Sequence, residues 1–282
     1  MRVTHHAPSS LAALLDLLSE NPSDLSVLGG GTDLTIQLRS GEKQPKGLLW
    51  LGNLPETKGI RQTDTGLEIG SMTTMAELST AKALNGAYTA LSHAAGGVGS
   101  QQIRSTATLG GNVANAAPGA DTLPPLLLLD AEVQIASPSG IQWQTLASIL
   151  PGGDGLQANE VILSIRLPKQ AQNWRSAFHK LGSRQTVTIS RLSLALGLHL
   201  EDNIIQEARA FAGAVALRPL EVEEVQTALK GQTLDRASQI LAQVLEDFVR
   251  KTIPDRPSMP YKAWTAKAVA EDVITRIQGE DI

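Results

Sequence analysis

The chain contains no cysteine in its 282 residues. That excludes disulfides, a thiolate nucleophile, cysteine-held zinc and cysteine-ligated iron–sulfur clusters within this chain. It also fits a reducing compartment. Aromatic residues make up only 3%, too few for the stacking platforms that hold single-stranded nucleic acid. Positive charge is not in excess either. Lys and Arg number 24 against 28 Asp and Glu, a net charge of −4, so no role on nucleic acid is expected. Long apolar runs are missing. The longest aliphatic run, Leu126 to Leu129, falls far short of the roughly 20 residues a bilayer span needs. Met1 to Pro8 carry no apolar signal core, so the expected location is cytoplasmic, with no membrane contact.

Catalytic signatures are equally sparse. The five histidines are His5, His6, His93, His179 and His199, and apart from the terminal pair none has a metal-ligand spacing. No nucleophile-elbow sequence supports Ser/His/Asp hydrolysis. What remains is an ordinary globular composition, 42% hydrophobic and 18% charged, long enough for one large or two to three small domains.

Two glycine-rich loops stand out, about eighty positions apart. The first is Val27-Leu28-Gly29-Gly30-Gly31-Thr32-Asp33-Leu34 and the second Ala107-Thr108-Leu109-Gly110-Gly111-Asn112. Consecutive glycines let main-chain N–H groups converge on an anion with no Cβ in the way. A single Gly-Gly pair is more often a tight turn or helix cap. Two loops of the same composition suit a ligand with two phosphates. The first lacks both the G-x-G-x-x-G spacing and the P-loop lysine. Asp33 and Asp121 read either as an acid–base pair or, more simply, as hydrogen-bond partners of main chain or ligand hydroxyls; no His lies nearby in sequence to favour catalysis. Lys180, in Phe178-His179-Lys180-Leu181-Gly182-Ser183-Arg184, reads either as a solvated edge-strand cation or as a charge complementing a flavin or phosphate.

The pattern along the chain predicts an α+β protein with mixed sheets. Ser10 caps a first helix with Leu11, Leu14, Leu15 and Leu18 on one face, and Pro22 follows it. Strands are predicted at Leu25 to Leu28, Gly47 to Leu51 and Val161 to Leu167. A hairpin is predicted around Thr63-Asp64-Thr65-Gly66. Thr74-x-x-Glu77 is a capping box, and Gly86 to Gly96 has a weaker helical pattern. Leu126 to Ile135 reads as a short helix leading into a strand. The pattern changes around Gln170 to Trp174. Beyond it, Ile189 to Leu200 and Ile204 to Gly213 flank a turn at Glu201-Asp202-Asn203. Pro219 marks a helix start and Gly231 its end. Asp235 to Thr252, with Ile240, Leu241, Val244, Leu245 and Phe248 as its stripe, and Lys262 to Ile277 complete the helices.

Both loops, together with Ala114-Asn115-Ala116-Ala117-Pro118-Gly119-Ala120-Asp121-Thr122-Leu123-Pro124, Phe178-His179-Lys180 through Arg184, Ile69 to Thr74 and Tyr261-Lys262, resemble the FAD-binding medium subunit of molybdenum hydroxylases. This is the group of xanthine, carbon monoxide and nicotinate dehydrogenases. The resemblance covers nearly the whole chain. It implies a two-part FAD-binding domain of the vanillyl-alcohol-oxidase (PCMH) type over residues 1–170, with parts of about 1–58 and 59–170. A smaller α/β domain of the CO dehydrogenase flavoprotein C-terminal type would cover 171–282.

By the same resemblance, FAD lies extended and non-covalently bound between the two parts. Val27, Leu28, Gly29, Gly30, Gly31, Thr32, Asp33 and Leu34 wrap its pyrophosphate. Ala107, Thr108, Gly110, Gly111 and Asn112 approach the other side of the phosphates and ribityl chain. Asn115 and Asp121 hydrogen-bond the cofactor, Val161 and Ile162 line the adenine part, and Lys180 supplies a cation near the flavin. The implied partners are a molybdopterin-binding large subunit and a [2Fe–2S] small subunit, in a dimer of heterotrimers, with NAD or another compound as final acceptor. One departure is that Gln185-Thr186-Val187-Thr188-Ile189-Ser190 carries no acid where many members have one. Against this electron-transfer reading stand a stand-alone flavin oxidoreductase of the same fold and a nucleotide-binding regulatory module.

Overall fold

The computed structural model describes residues 3–20, 25–171, 173–184 and 186–279; Pro22 and Gln185 lie outside them. In chain order come β1 (Thr4–His6), α1 (Leu11–Glu20), β2 (Leu25–Leu28), α2 (Leu34–Ser40), β3 (Gly47–Trp50), β4 (Ile60–Thr63) and β5 (Gly66–Gly70). Five helices follow: α3 (Met75–Thr80), α4 (Thr89–Gly97), α5 (Gln101–Arg104), α6 (Leu109–Asn115) and α7 (Leu123–Leu128). Then come β6 (Glu132–Ser137), β7 (Gly140–Thr145), α8 (Leu146–Ile149), β8 (Val161–Pro168), β9 (Trp174–Leu181), β10 (Leu192–Glu201), β11 (Ile204–Gly213) and β12 (Leu220–Glu221). The helices α9 (Glu224–Leu229), α10 (Leu234–Thr252) and α11 (Met259–Gln278) end the chain.

The chain packs as two compact units, and neither is contiguous. The first comprises 1–77, 101–116 and 130–169; the second comprises 78–100, 117–129 and 170–282. Packing therefore assigns α4 and α7 to the second unit, although both precede the change of pattern at Gln170.

The first unit holds two sheets. Three parallel strands run in the order β1-β3-β2, and five antiparallel strands in the order β4-β5-β8-β6-β7. Ser10 caps α1 as its sequence position suggests, with Oγ accepting from Ala13 N at 3.2 Å. Leu14 and Leu18 on the inner face of α1 join Leu49, Leu51, Leu54, Val161 and Leu163 in one core. Each such leucine, fully withdrawn from water, contributes about 1.5–3 kcal/mol. Thr74 and Glu77 form the reciprocal cap of α3: Thr74 N donates to Glu77 Oε2 at 2.7 Å, and Glu77 N to Thr74 Oγ1 at 3.2 Å. The β6–β7 hairpin extends the strand that the sequence pattern places after Leu126.

In the second unit one antiparallel sheet, β12-β11-β10-β9, is covered on both faces. Leu192, Leu194, Leu196 and Leu198 alternate along β10 toward Leu241, Leu245 and Val249 of α10 and Val269 and Val273 of α11. Ala195 points the other way, with Phe178 and Phe211, onto Ala90 and Ala94 of α4 and Leu128 of α7. The period of two explains why β10 is buried on both sides. Asp202 and Asn203 both take positive φ, 49° and 65°, which matches the twist of the tight β10–β11 hairpin.

Three boundaries and one buried stripe differ from the sequence pattern. The helix α7 starts at Leu123, because Pro124 and Pro125 sit in the first turn, where no N–H is needed. Strand β10 starts at Leu192, not Ile189, and Ile189 stands 81% exposed in the preceding loop. Pro219 precedes the short strand β12, and the helix begins five residues later at Glu224. The buried stripe of α10 is Leu234, Ala237, Leu241, Leu245 and Val249; Ile240, Val244 and Phe248 only flank it.

Candidate cofactor site

Both glycine loops fall in the first unit, and they touch. Strand β2 delivers Val27 and Leu28 to the loop, Gly31 takes φ +70°, and α2 carries the chain away with Leu34 buried at its start. A Cβ on Gly29 would lie 2.6 Å from Thr108 Oγ1. One on Gly30 would overlap the Thr106 carbonyl oxygen. The first loop thus needs small residues here because the main chain of the second loop crosses directly beside it.

The two loops differ in what their N–H groups do. Thr35 N donates to Gly31 O, and Ile36 N and Gln37 N both donate to Asp33 O. Among the described residues, the N–H groups of Gly30, Gly31, Thr32 and Asp33 have no acceptor. Four consecutive free donors at a partly exposed bend make a cradle for an anion. Thr32 Oγ1 and Asp33 Oδ2 approach to 3.4 Å at its rim.

In the second loop the donors of Ala107, Leu109, Gly110, Gly111 and Asn112 are taken. Ala107 N donates to Ile103 O at 2.7 Å, Leu109 N to Thr73 O at 2.9 Å, Gly110 N to Ser71 O at 2.8 Å, and Asn112 N to Thr108 O at 3.0 Å. Thr108 is the N-cap of α6 and accepts from Gly111 N at 3.2 Å. A Cβ on Gly110 would lie 2.5 Å from Ser71 Cβ and 2.9 Å from Ser71 O. The expectation of two N–H cradles is therefore corrected: the first loop offers a row of donors, and the second spends most of its own on the chain around it. Ser71 and Thr73, which accept from Gly110 and Leu109, fall in the Ile69-to-Thr74 segment that carries the resemblance but are not among the predicted site residues, and Thr106 directly precedes the second loop.

The remaining predicted residues separate. Asn115 is exposed at the end of α6. Val161 and Ile162 are buried in β8, with Val161 inside the α1 core. Asp121 and Lys180 belong to the second unit and bind each other. Lys180 Nζ donates to Asp121 Oδ2 at 2.6 Å and to Thr188 O at 2.9 Å, while Ser190 Oγ donates to Asp121 Oδ1 at 2.5 Å. Lys180 sits on the edge strand β9, yet it is not a solvated cation; its side chain is 13% exposed. Burial, the larger influence, pushes the Asp121 carboxyl above the usual carboxylate range, and Lys180 and Ser190 pull it back. Both Asp121 oxygens are engaged, and Asp33 belongs to the other unit. The cluster ties down Thr188 and Ser190, next to Val187, which adopts φ 50°, a strained value for a β-branched residue.

A family model described as the FAD binding domain in molybdopterin dehydrogenase matches residues 1–170. The chain belongs to that family. A second model, the CO dehydrogenase flavoprotein C-terminal domain, matches residues 176–277. The protein is an FAD-binding medium subunit of the molybdenum hydroxylase type and an oxidoreductase component, with FAD as its cofactor. Among its relatives is the xanthine dehydrogenase FAD-binding subunit of Escherichia coli O157:H7, 32% identical over 249 residues and covering 85% of each chain. Another is the nicotinate dehydrogenase FAD-subunit of Eubacterium barkeri, 25% identical over 90% of each. The crystal structure of quinoline 2-oxidoreductase from Pseudomonas putida 86 contains a chain that superposes with TM-score 0.88 at 26% identity, covering 99% of this chain and 98% of that one. No helix among the described residues is long and apolar enough to cross a membrane. None of their His, Asp and Glu side chains gather in threes to hold a metal ion.

Proposed function

We propose that this chain carries FAD as the electron-transfer subunit of a molybdenum hydroxylase. It would take electrons from the [2Fe–2S] clusters of one partner, after substrate hydroxylation on a molybdopterin-binding partner, and pass them to NAD or another acceptor. FAD, when bound, supplies a centre that exchanges electrons singly and in pairs. The observation that carries the reading is the row of free donors from Gly30 to Asp33 in a chain that has no cysteine for clusters of its own. Their chemistry fits a diphosphate.

In this reading Val27 to Leu34 cradle the diphosphate, with Gly29 to Asp33 nearest it. Ala107, Thr108, Gly110, Gly111 and Asn112 form the wall behind it, and Asn115 presents its amide at the wall's end. Val161 and Ile162, buried in β8, back the adenine part of the cofactor. Asp121 and Lys180 act together by fixing Thr188 and Ser190 rather than as separate charges. With neither His nor Cys in the two loops, attachment there is non-covalent. The sequence domains are 1–170 and 171–282, the assembly a dimer of heterotrimers, and the location cytoplasmic.

The test is purification of the tagged chain from cells making the whole complex. Expected are one FAD per copy of this chain, with iron and molybdenum on the accompanying chains, and no substrate turnover by this chain alone. Turnover of a small organic substrate by the isolated chain would establish the stand-alone oxidoreductase instead.

A further inference from the structure

The face at the start of α11 takes no part in the site described above. Tyr261 and Trp264 stand one helical turn apart on its outward stripe, and Trp264 is 77% exposed. Leu217, four residues beyond the end of β11, is 67% exposed. Water gains nothing from such side chains, and four tryptophans in 282 residues make the placement of one in solvent informative.

Three cations gather at the same place. The Arg191 guanidinium lies 5.8 Å from the Tyr261 ring centroid. Lys262, beside Tyr261 but turned inward, donates to the Ala214 carbonyl, and Arg256 Nη1 donates to the Val215 carbonyl at 3.3 Å. Burial first, and then the nearby charges of Arg256 and Arg191, hold the Lys262 ammonium below its ordinary value. Several basic side chains elsewhere in this unit meet acids, as in Arg209–Glu221, Arg250–Glu246 and Lys251–Glu224. Among the described residues no carboxylate lies within ion-pair distance of Arg191, Arg256 or Lys262. In a chain of net charge −4, this face is locally short of negative charge.

We propose that the face formed by Tyr261, Trp264, Leu217 and Arg191 docks a partner chain of the complex that presents carboxylates around an apolar socket for Trp264. Trp, Tyr and Arg are the side chains that anchor protein interfaces, and uncompensated cations select a partner of opposite charge. A small anion would answer the cations but leave Trp264 and Leu217 in water. A second copy meeting this face across a two-fold axis would bring Arg191 and Arg256 toward their own equivalents. The proposal rests on the reading that the chain works inside a complex.

The experiment measures re-association of the purified full chain with its molybdenum- and iron-containing partner chains. It compares wild type, Trp264→Ala, Arg191→Glu, and Ile141→Ser on the first unit as control. Trp264→Ala is expected to weaken binding at least about thirtyfold. Arg191→Glu weakens it too, more at low than at high salt. FAD content and Tm stay at wild-type values in both, and Ile141→Ser binds normally. Wild-type affinity in both variants overturns the proposal alone. A wild-type chain that holds FAD but binds no partner overturns the complex reading with it. The docking proposal alone also falls to a self-associated wild-type chain that Trp264→Ala makes monomeric, which would assign the face to a second copy, or to binding to phosphatidylserine vesicles that Trp264→Ala abolishes, which would assign it to a membrane.

Discussion

The two glycine loops have nearly the same composition and opposite uses of it. In the first, Gly30, Gly31, Thr32 and Asp33 keep four N–H groups free. In the second, Leu109, Gly110, Gly111 and Asn112 spend theirs on Thr73, Ser71 and Thr108. Glycine serves clearance in both, at Gly30 against Thr106 and at Gly110 against Ser71. Glycine-rich sequence therefore signals close main-chain approach; which approach is to a ligand depends on where the neighbouring acceptors lie.

The comparison breaks most sharply at Gly30. Gly30→Ala drives a Cβ into the Thr106 carbonyl, which is main chain and cannot swing aside. A loss of about 3 kcal/mol or more, with the cofactor gone, is expected from calorimetry and flavin absorbance. If Gly30→Ala keeps both stability and FAD, the two loops do not pack as described.

Next comes removal of FAD itself. At a free concentration a hundred times Kd, FAD adds about 2.7 kcal/mol to stability. Hydrogen exchange resolves where. The amides of Gly30 to Asp33 should exchange fast in the apoprotein and slowly in the holoprotein, while those of Leu109 to Asn112 stay slow in both. Equal gains of protection in both loops would restore two equivalent cradles.

The smallest effect tests the wall. Thr108→Val removes the cap of α6, at a cost of about 1 kcal/mol in thermal unfolding. Gly111 N–H should then exchange faster, with its neighbours unchanged. An unaltered Gly111 rate would show that Thr108 Oγ1 is not its acceptor.

Much of the fold was legible because local signals agreed with the packing. Leu14 and Leu18, the Thr74–Glu77 cap, the Thr63-to-Gly66 hairpin and the Asp202-Asn203 turn each depend on neighbours within a few residues. The boundaries that moved are those where burial overrode pattern. Ile189 continues the apolar run of β10 in sequence, yet Ser190 turns inward to Asp121, 69 positions away, and Ile189 is left outside. Asp121 and Lys180 were legible as site residues one at a time, but not as partners of each other. Nothing local links positions 59 apart.

The sequence by itself determined the absence of thiol chemistry, the α+β class, the family and the two points where main chain must approach something closely. The family came from the resemblance of whole segments; the others follow from residue type and short-range spacing. Tertiary structure alone decided that Gly30 to Asp33 keep free donors, that Ser71 and Thr73 consume those of the second loop, and that α4 and α7 pack with a sheet built largely from the last third of the chain. Hydrogen bonds and burial are satisfied by whichever group lies within about 3 Å, and only the folded chain brings those groups together.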